Sequence, residues 1–231
     1  MGISLVATAS IDGGSGNPSI THGLTIKGGD VILAGVHANL AANTVADNNG
    51  STPFAFDDFG DNPDSARLYL FNRVCNGNEP SAFAFTLGSS ARWSLLLRQY
   101  RGVDRAVWDV APSASTRATG DSGTGLAVAS AISILTPGAC GVVWVADDFA
   151  PTTTVFNTVN NSYGNLVNES GQQCQASADK LGLSTGTTGT TTISTSGGTR
   201  ATYVVYQVAL KPAMAPPIED RRVRFQPLLV R

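Results

Sequence analysis

The stretch Arg92-Trp93-Ser94-Leu95-Leu96-Leu97-Arg98-Gln99-Tyr100-Arg101-Gly102-Val103-Asp104 decides the fold. It begins as a short, nearly continuous apolar run and stops at Arg101-Gly102, which is typical of a strand covered on both faces rather than of a helix. Because successive side chains of a strand alternate, we expect Leu95 and Leu97 on one face and Leu96 on the other. The stretch therefore predicts a central strand, and Gly102-Val103-Asp104 predicts a turn that sends the chain back over the sheet.

Comparable strand-length runs follow one another along the chain, separated by turn sequences rich in Gly, Pro, Asn and Asp. Residues 81–87 alternate large and small side chains, so Phe83, Phe85 and Leu87 are expected in the core. Residues 202–210 are expected to pair with the central strand, and residues 105–124 to be mostly loop. No helix longer than two turns and no internal repeat is predicted. The sequence thus predicts an all-β protein, with residues 1–211 forming a two-sheet antiparallel, jelly-roll-like β-sandwich.

The composition limits the classes of function. Only 14% of the 231 residues are charged, against roughly a quarter in ordinary soluble domains, and the 25 glycines and many Ser, Thr and Asn residues take their place. A net charge of -2 argues against nucleic-acid binding, and no apolar run approaches the ~20 residues of a membrane helix. Residues 1–7 lack the features of a signal peptide, which predicts folding in a cytosol. The three cysteines (Cys75, Cys140 and Cys174) are expected to be buried and free.

Residues 212–231 form a second region, a proline-tethered basic and apolar C-terminal docking arm. Pro212, Pro216 and Pro217 predict a stiff, extended linker. The alternating arginines and apolar residues that follow suit addition of a strand to the sheet edge of another subunit. The alternative is that the arm folds back on its own domain or is a frayed end. The expected docking residues are Arg221, Arg222, Val223, Arg224, Phe225, Leu228 and Leu229.

Several motifs occur in a characteristic order: Gly29-Asp30-Val31-Ile32-Leu33-Ala34, Asn78-Glu79-Pro80-Ser81 before Phe83-Ala84-Phe85-Thr86, Tyr100-Arg101-Gly102-Val103-Asp104, and Val208-Ala209-Leu210-Lys211-Pro212. Over roughly residues 1–212 this order resembles a family of β-sandwich domains found in tailed-phage and prophage structural proteins and in some bacterial surface proteins. The resemblance implies a virion-surface module similar to head decoration proteins, head fibres or tail-fibre tips, and it brings no catalytic residues. The C-terminal arm lies outside it.

These observations together predict a structural virion protein without cofactor or enzymatic activity. The expected role is that of a capsid decoration (cement) protein of a tailed phage, assembled in the host cytoplasm and attached through its arm. Its expected partners are the major capsid protein or other virion subunits, and a homo-oligomer, preferably a trimer, would multiply weak contacts. The alternative is a glycan- or receptor-binding adhesion module of a phage fibre. A third hypothesis is that the protein is a polysaccharide-degrading enzyme.

The sequence offers two candidate catalytic arrangements, one with histidine and one with paired carboxylates. His22 and His37 both fall among apolar residues of expected strands, whereas a nucleophile–histidine site needs an orienting carboxylate at a strand end or loop. Asp147-Asp148 could form a carboxylate pair with Asp104 or Asp109, as glycoside hydrolysis requires. Acidic residues at strand ends are also ordinary turn formers, which is the reading we favour.

Two binding sites remain as candidates. Asp57, Asp58, Asp61 and Asp64 crowd into what reads as an acidic loop and could supply oxygen ligands to Ca²⁺, although the loop lacks EF-hand spacing and Pro63 interrupts it. Trp108 and Tyr163, with Phe149, are loop aromatics that could stack on sugar rings. Loop aromatics also commonly cap the edge of a core. A solvated acidic turn and a core-capping role are therefore the competing interpretations.

Overall fold

The computed structural model describes residues 2–39, 44–51, 53–61, 67–121, 125–147, 155–171, 173–196 and 202–214. Within these ranges all regular structure is β-strand. The strands of the first half are β1 (Ser4–Gly13), β2 (Ser19–Thr21), β3 (Val31–Ala38), β4 (Val45–Asp47), β5 (Ala55–Asp61), β6 (Arg67–Val74), β7 (Ala82–Leu87) and β8 (Trp93–Arg101). Those of the second half are β9 (Val103–Val110), β10 (Arg117–Asp121), β11 (Leu126–Ala129), β12 (Ser133–Ile134), β13 (Ala139–Asp147), β14 (Val155–Val159), β15 (Gly164–Glu169), β16 (Cys174–Leu183), β17 (Gly186–Thr187), β18 (Thr191–Ser196) and β19 (Thr202–Pro212).

Two large antiparallel sheets pack face to face. The first has the strand order β1-β8-β3-β6-β5, and the second has the order β10-β19-β13-β16-β15, with β9 paired to β19. Their facing side chains form one apolar core that includes Leu33, Leu96, Trp144, Tyr206 and Leu210. The predicted antiparallel β-sandwich is therefore confirmed.

Each large sheet also carries a small sheet on its outer face. Strands β2, β7 and β4 cover the first large sheet, and their Phe83 and Phe85 pack against Leu95 and Leu97 of β8. Strands β11, β18 and β14 cover the second large sheet in the same way. The body consequently has four layers, which explains why its central strands are apolar on both faces.

The two halves of the chain share one topology. Replacing β1, β8, β3, β6 and β5 by β10, β19, β13, β16 and β15 converts the first large sheet into the second, and β2-β7-β4 is converted likewise into β11-β18-β14. The matched strands occur in the same order along the chain, with β9, β12 and β17 as additions in the second half. The prediction that the chain has no internal repeat is therefore wrong at the level of topology.

The central strand is β8, and it has the predicted orientation. Leu95, Leu96 and Leu97 are fully buried, with Leu96 in the core between the large sheets and its two neighbours in the core beneath the small sheet. Burying a leucine side chain contributes about 2 kcal/mol to the free energy of unfolding. Both faces of this strand therefore help to hold the layers together.

Two expectations about neighbouring segments are wrong. Strand β19 pairs with β13, β10 and β9, and not with β8, because it lies in the second large sheet and faces the first. Residues 105–124 are not mostly loop, since β9 and β10 occupy most of the described part of this stretch. Gly102, with a φ of 80°, makes the crossing from one sheet to the other, and a Cβ there would lie 2.5 Å from the carbonyl oxygen of Gly2.

The two large sheets approach each other closely at Gly35. A Cβ on Gly35 would lie 2.4 Å from the indole ring of Trp144, so the glycine makes room for the largest side chain of the core. The Trp144 Nε1–H donates to Gln175 Oε1 at 2.9 Å, and Gln175 Nε2 donates to Ser94 Oγ at 2.9 Å and to the Gly35 carbonyl oxygen at 3.2 Å. The sheets are thus linked by polar bonds as well as by apolar packing.

Several of the sequence motifs named above make polar contacts inside the first half of the chain. Glu79 pairs with the buried Arg73 and accepts the Asn76 N–H at 2.6 Å. Arg101 donates to both carboxylate oxygens of Asp30 at 2.8 Å. Burial opposes ionisation of Asp30, but the bonds from Arg101, the Lys27 N–H and Gln99 outweigh it and leave the pKa of Asp30 below its ordinary value.

Candidate functional site

The histidines occupy structural positions. His37 is fully buried in β3, with Nδ1 3.0 Å from the Cys174 carbonyl oxygen, and burial lowers the pKa of this imidazole to about 4. The backbone bond to Cys174 opposes that shift only in part. His22 stacks on Phe83 at 4.4 Å between ring centroids, and its Nδ1 accepts the Leu24 N–H at 3.0 Å. Each imidazole is therefore held by packing and by the backbone.

The proposed carboxylate pair is not formed by the described residues. Asp147 is buried at the end of β13 and lies opposite Tyr203, whereas Asp109 lies in β9 beside Ala209 and Leu210. The six or seven residues of β19 between these positions span about 20 Å at about 3.3 Å per residue. Catalytic pairs are separated by about 5–9.5 Å, so Asp147 and Asp109 are too far apart. Asp104 lies at the start of β9, where its carboxylate accepts the Ala106 N–H, and Asp148 lies outside the described residues.

The acidic stretch is strand β5 rather than a loop. Its register against β6 shifts between Phe56 and Asp58, so the strand contains a β-bulge at Asp57. Asp58 accepts a hydrogen bond from the Tyr206 hydroxyl at 3.1 Å, and Asp61 is held by Arg67. Asp57, Asp58 and Asp61 therefore bind different partners, and no acidic cluster suited to a metal occurs among the described residues. Asp64 lies outside them.

Asp57 has the most perturbed carboxyl group of this strand. Burial raises its pKa to about 6, with a smaller contribution from the negative charge of Asp58. Hydrogen bonds from Trp108 Nε1 (2.8 Å) and Asn72 Nδ2 (2.6 Å) to its Oδ1 oppose the shift. Trp108 reaches this position from β9 directly after Val107, a buried residue with a φ of 63° that is costly for a β-branched side chain. The bulge and this strained residue together build the junction between β5 and β9.

The two aromatic residues expected at a glycan site are not exposed loop residues. Tyr163 is only 8% exposed, its hydroxyl accepts a bond from Gln207 at 3.0 Å, and burial raises its pKa to about 12. Trp108 lies in β9, packs against the core between the large sheets, and gives its indole N–H to Asp57. The expectation of exposed rings at these positions is wrong, because both rings complete the core. Phe149 lies outside the described residues.

A buried ion pair between the large sheets was not predicted from the sequence. Arg98 of β8 lies 3.0 Å from Asp179 of β16, and both side chains are at most 1% exposed. The Arg98 guanidinium also donates to Tyr100 Oη (2.7 Å) and to the Ser177 carbonyl oxygen (2.7 Å), and Asn165 Nδ2 donates to Asp179 Oδ1 (2.7 Å). The pair therefore belongs to the interface of the two halves and is not open to a ligand.

One described surface has the features of a binding site. Phe56 and Phe59 of β5 are 54% and 41% exposed. They lie on the outer face of the first large sheet, beside β4. We call the pocket that they line the aromatic groove; it has a volume of about 290 Å³ and is formed by Thr44, Val45, Phe56, Phe59, Arg67 and Tyr69.

The C-terminal arm begins at a defined point on the surface. The Ala213 N–H donates to the Gly102 carbonyl oxygen at 2.8 Å, and the next residue, Met214, is 82% exposed. All of the predicted docking residues, Arg221 to Leu229, lie outside the described residues. Their role stays a prediction.

Comparison with known proteins does not assign the chain to a family. No family model matches the chain, and neither a curated protein nor a solved structure is found to be similar to it. The part of the chain that the structure describes contains no helix long and apolar enough to cross a membrane. The class that the fold defines is an all-β sandwich with duplicated topology.

Proposed function

We propose that this protein is a structural component of a tailed-phage virion, a capsid decoration protein whose sandwich body faces solvent and whose C-terminal arm attaches it. The observation that carries the proposal is the point where the chain leaves the body. Ala213 makes its bond to Gly102, Met214 is exposed, and the proline- and arginine-rich residues follow from the surface. A segment that starts at this exposed point suits the addition of a strand to a neighbouring subunit.

The described body supports this role. Three side-chain pairs brace the inside of the fold: Arg73 with Glu79, Arg98 with Asp179, and Trp108 with Asp57. A rigid body with a surface of low charge suits a protein displayed in many copies. The proposed partners are the major capsid protein or other virion subunits, with oligomerisation, preferably to a trimer, adding avidity.

The experiment compares the full chain with a chain that ends at residue 214. Both are mixed with capsids that lack the protein, and bound protein is measured after sedimentation. We expect the full chain to bind at a fixed ratio to capsid subunits and the truncated chain to stay in solution while retaining its circular dichroism spectrum. Equal binding of the two chains, or binding of neither, would contradict the proposal. Light scattering of the free full chain measures its oligomeric state.

A further inference from the structure

The aromatic groove leaves two large apolar side chains open to solvent. Phe56 and Phe59 are 54% and 41% exposed, whereas the other phenylalanines among the described residues are buried. We propose that the aromatic groove binds a sugar ring, as an activity additional to the attachment of the body to a particle.

The β-bulge at Asp57 places both rings on the same face. Phe56 and Phe59 are three residues apart, so in a regular strand they would point to opposite faces of the sheet. The extra residue in the bulge reverses this relation: Phe56 lies opposite Phe71, and Phe59 lies opposite Tyr69. Asp57 and Asp58, which lie between them, bind Trp108 and Tyr206 instead. The bulge thus creates an aromatic pair on one face.

Both rings are supported by aromatic neighbours on β6. Phe59 stacks on Tyr69 with 5.5 Å between the ring centroids and an interplanar angle of 17°, and Phe56 meets Phe71 at 5.5 Å and 65°. Tyr69 and Phe71 are themselves buried. Because the exposed rings are already oriented, their side chains lose little conformational entropy when a ligand stacks on them.

Among the described residues that line the groove, Arg67 carries the one charge, and it is paired with Asp61. Arg67 donates to Asp61 through Nε (3.0 Å) and Nη2 (2.7 Å), and the Asp61 side chain is 37% exposed. A phosphate or a free carboxylate would meet a guanidinium already neutralised by its partner, and a cation would meet a neutralised carboxylate. Sugar hydroxyls both donate and accept hydrogen bonds, so a guanidinium beside a carboxylate suits them. The charge balance therefore favours an uncharged sugar.

The size of the groove favours a small ligand over a protein surface. Its volume of about 290 Å³ is at the lower end of the range for small-molecule sites. A stable protein interface buries about 800 Å² on each partner, whereas a fully buried phenylalanine contributes at most about 250 Å². One face of a pyranose ring is lined by C–H groups and its edge by hydroxyls, so the ring matches aromatic faces bordered by a polar pair.

The test uses the intact chain, labelled with ¹⁵N and titrated with methyl β-glucopyranoside, methyl β-galactopyranoside, methyl α-rhamnopyranoside and N,N′-diacetylchitobiose. We expect at least one of these sugars to shift the amide resonances of β5 and β6 around Phe59, with a dissociation constant in the millimolar range. Saturation transfer from the protein to the ring protons of the bound sugar provides the second measurement.

Three variants separate stacking from general hydrophobicity. Phe59→Leu keeps an apolar side chain but removes the ring face, and we expect it to weaken sugar binding at least tenfold. Phe59→Tyr keeps the ring and is expected to bind within about threefold of the original chain. Leu135→Ala removes a different exposed apolar side chain, 71% exposed and remote from β5 in the sheet order, and is expected to change nothing. Unchanged amide spectra away from the groove show that each variant is folded.

Several results would overturn the proposal. One is that none of the four sugars shifts the β5 and β6 resonances, and another is that Phe59→Leu binds sugar as well as the original chain. A third is that the groove resonances shift with protein concentration alone, which would assign the groove to a second copy of the chain. This test does not use capsid attachment or truncation at residue 214. Each proposal can therefore fail without affecting the other.

Discussion

At the scale of single residues, Gly35 is a position with no room for added volume. A methyl group there would lie 2.4 Å from the Trp144 ring, and that ring is held by Gln175. We expect Gly35→Ala to lower the free energy of unfolding by about 2 kcal/mol or more, measured by urea denaturation. Gly164→Ala is the matched control, since its Cβ would have no neighbour within 4 Å, and it is expected to change stability by less than about 0.5 kcal/mol.

The clash can be assigned to the tryptophan with a double-mutant cycle. Trp144→Phe alone costs stability by leaving a cavity, but it also makes room for a methyl group on Gly35. We expect a favourable coupling of about 1 kcal/mol or more between the two substitutions. Strict additivity would show that the cost of Gly35→Ala arises elsewhere.

Asp57 is expected to make stability depend on pH. Its pKa of about 6 in the folded state lies above its ordinary value near 4, so the folded protein binds an extra proton between pH 4 and pH 6. This contribution to stability is complete below pH 4 and is lost as the pH rises through 6, by about 3 kcal/mol. Asp57→Asn keeps an acceptor for Trp108 and removes the titration. The stability of this variant relative to the original chain should therefore increase from pH 4 to pH 7, as measured by urea unfolding; a constant difference would contradict the assignment.

His37 is expected to act in the opposite direction. Its pKa of about 4 in the folded state lies below the ordinary 6.5, so the unfolded chain takes up the proton first as the pH falls. The stability that the neutral imidazole provides is present above pH 6.5 and lost towards pH 4, by about 3 kcal/mol. We expect His37→Gln to be destabilised at pH 7 and the gap to narrow as the pH falls to 4. Unfolding curves at intervals of one pH unit measure this change.

At the scale of the elements, the turn between β6 and β7 depends on the pair of Glu79 with Arg73. Both side chains are almost fully buried, and the guanidinium lies over the Phe83 ring at 5.3 Å. Glu79→Gln leaves a buried charge without its partner, so we expect a loss of about 3 kcal/mol in the free energy of unfolding. Asp61→Asn removes the same charge from a partly exposed pair and should cost less than about 1 kcal/mol. Similar losses for both variants would contradict this account.

The elements also show what the sequence could predict. Leu95, Leu96 and Leu97 predicted β8 correctly, because burial on both faces leaves an unbroken apolar run. Strand β16 gave a different signal: Gln175, Ser177 and Asp179 alternate with Ala176 and Ala178, a pattern that normally places the polar face in solvent. Here that face lies between the sheets and is satisfied by Trp144 and Arg98. The alternating pattern indicates strand β16, but it does not indicate that the other large sheet covers the polar face of this strand.

The candidate site was less predictable than the fold. Acidic residues made β5 read as a loop, and the effect of one bulged residue on the direction of Phe56 and Phe59 depends on the register with β6. Whether Trp108 or Phe59 is the exposed ring likewise depends on how the sheets pack over each of them. Long-range packing decides both points, and a single sequence carries no direct signal of it.

At the scale of the whole molecule, the duplicated topology predicts that the chain can be divided at Gly102. Each half carries one large sheet and its own small sheet, and the core between the large sheets joins the halves. We expect residues 1–101 and residues 102–231, expressed together with a tag on one of them, to purify as a one-to-one complex. Residues 1–101 alone should self-associate, because Leu33, Leu70 and Leu96 would be exposed. A monomeric, folded single half on gel filtration with light scattering would contradict this.

The short distance between Gly2, Gly102 and Ala213 has a practical consequence. A fluorescent reporter placed before Ile3 would emerge beside the point where the C-terminal arm begins, and would crowd any partner bound there. A peptide inserted at the opposite end of the strands, for example in the turn at Gly88 to Ser90, would lie far from that point instead. A short bridge from Ala213 to Gly2 would allow new chain termini to be opened at that distant turn, which makes the body a candidate scaffold for circular permutation.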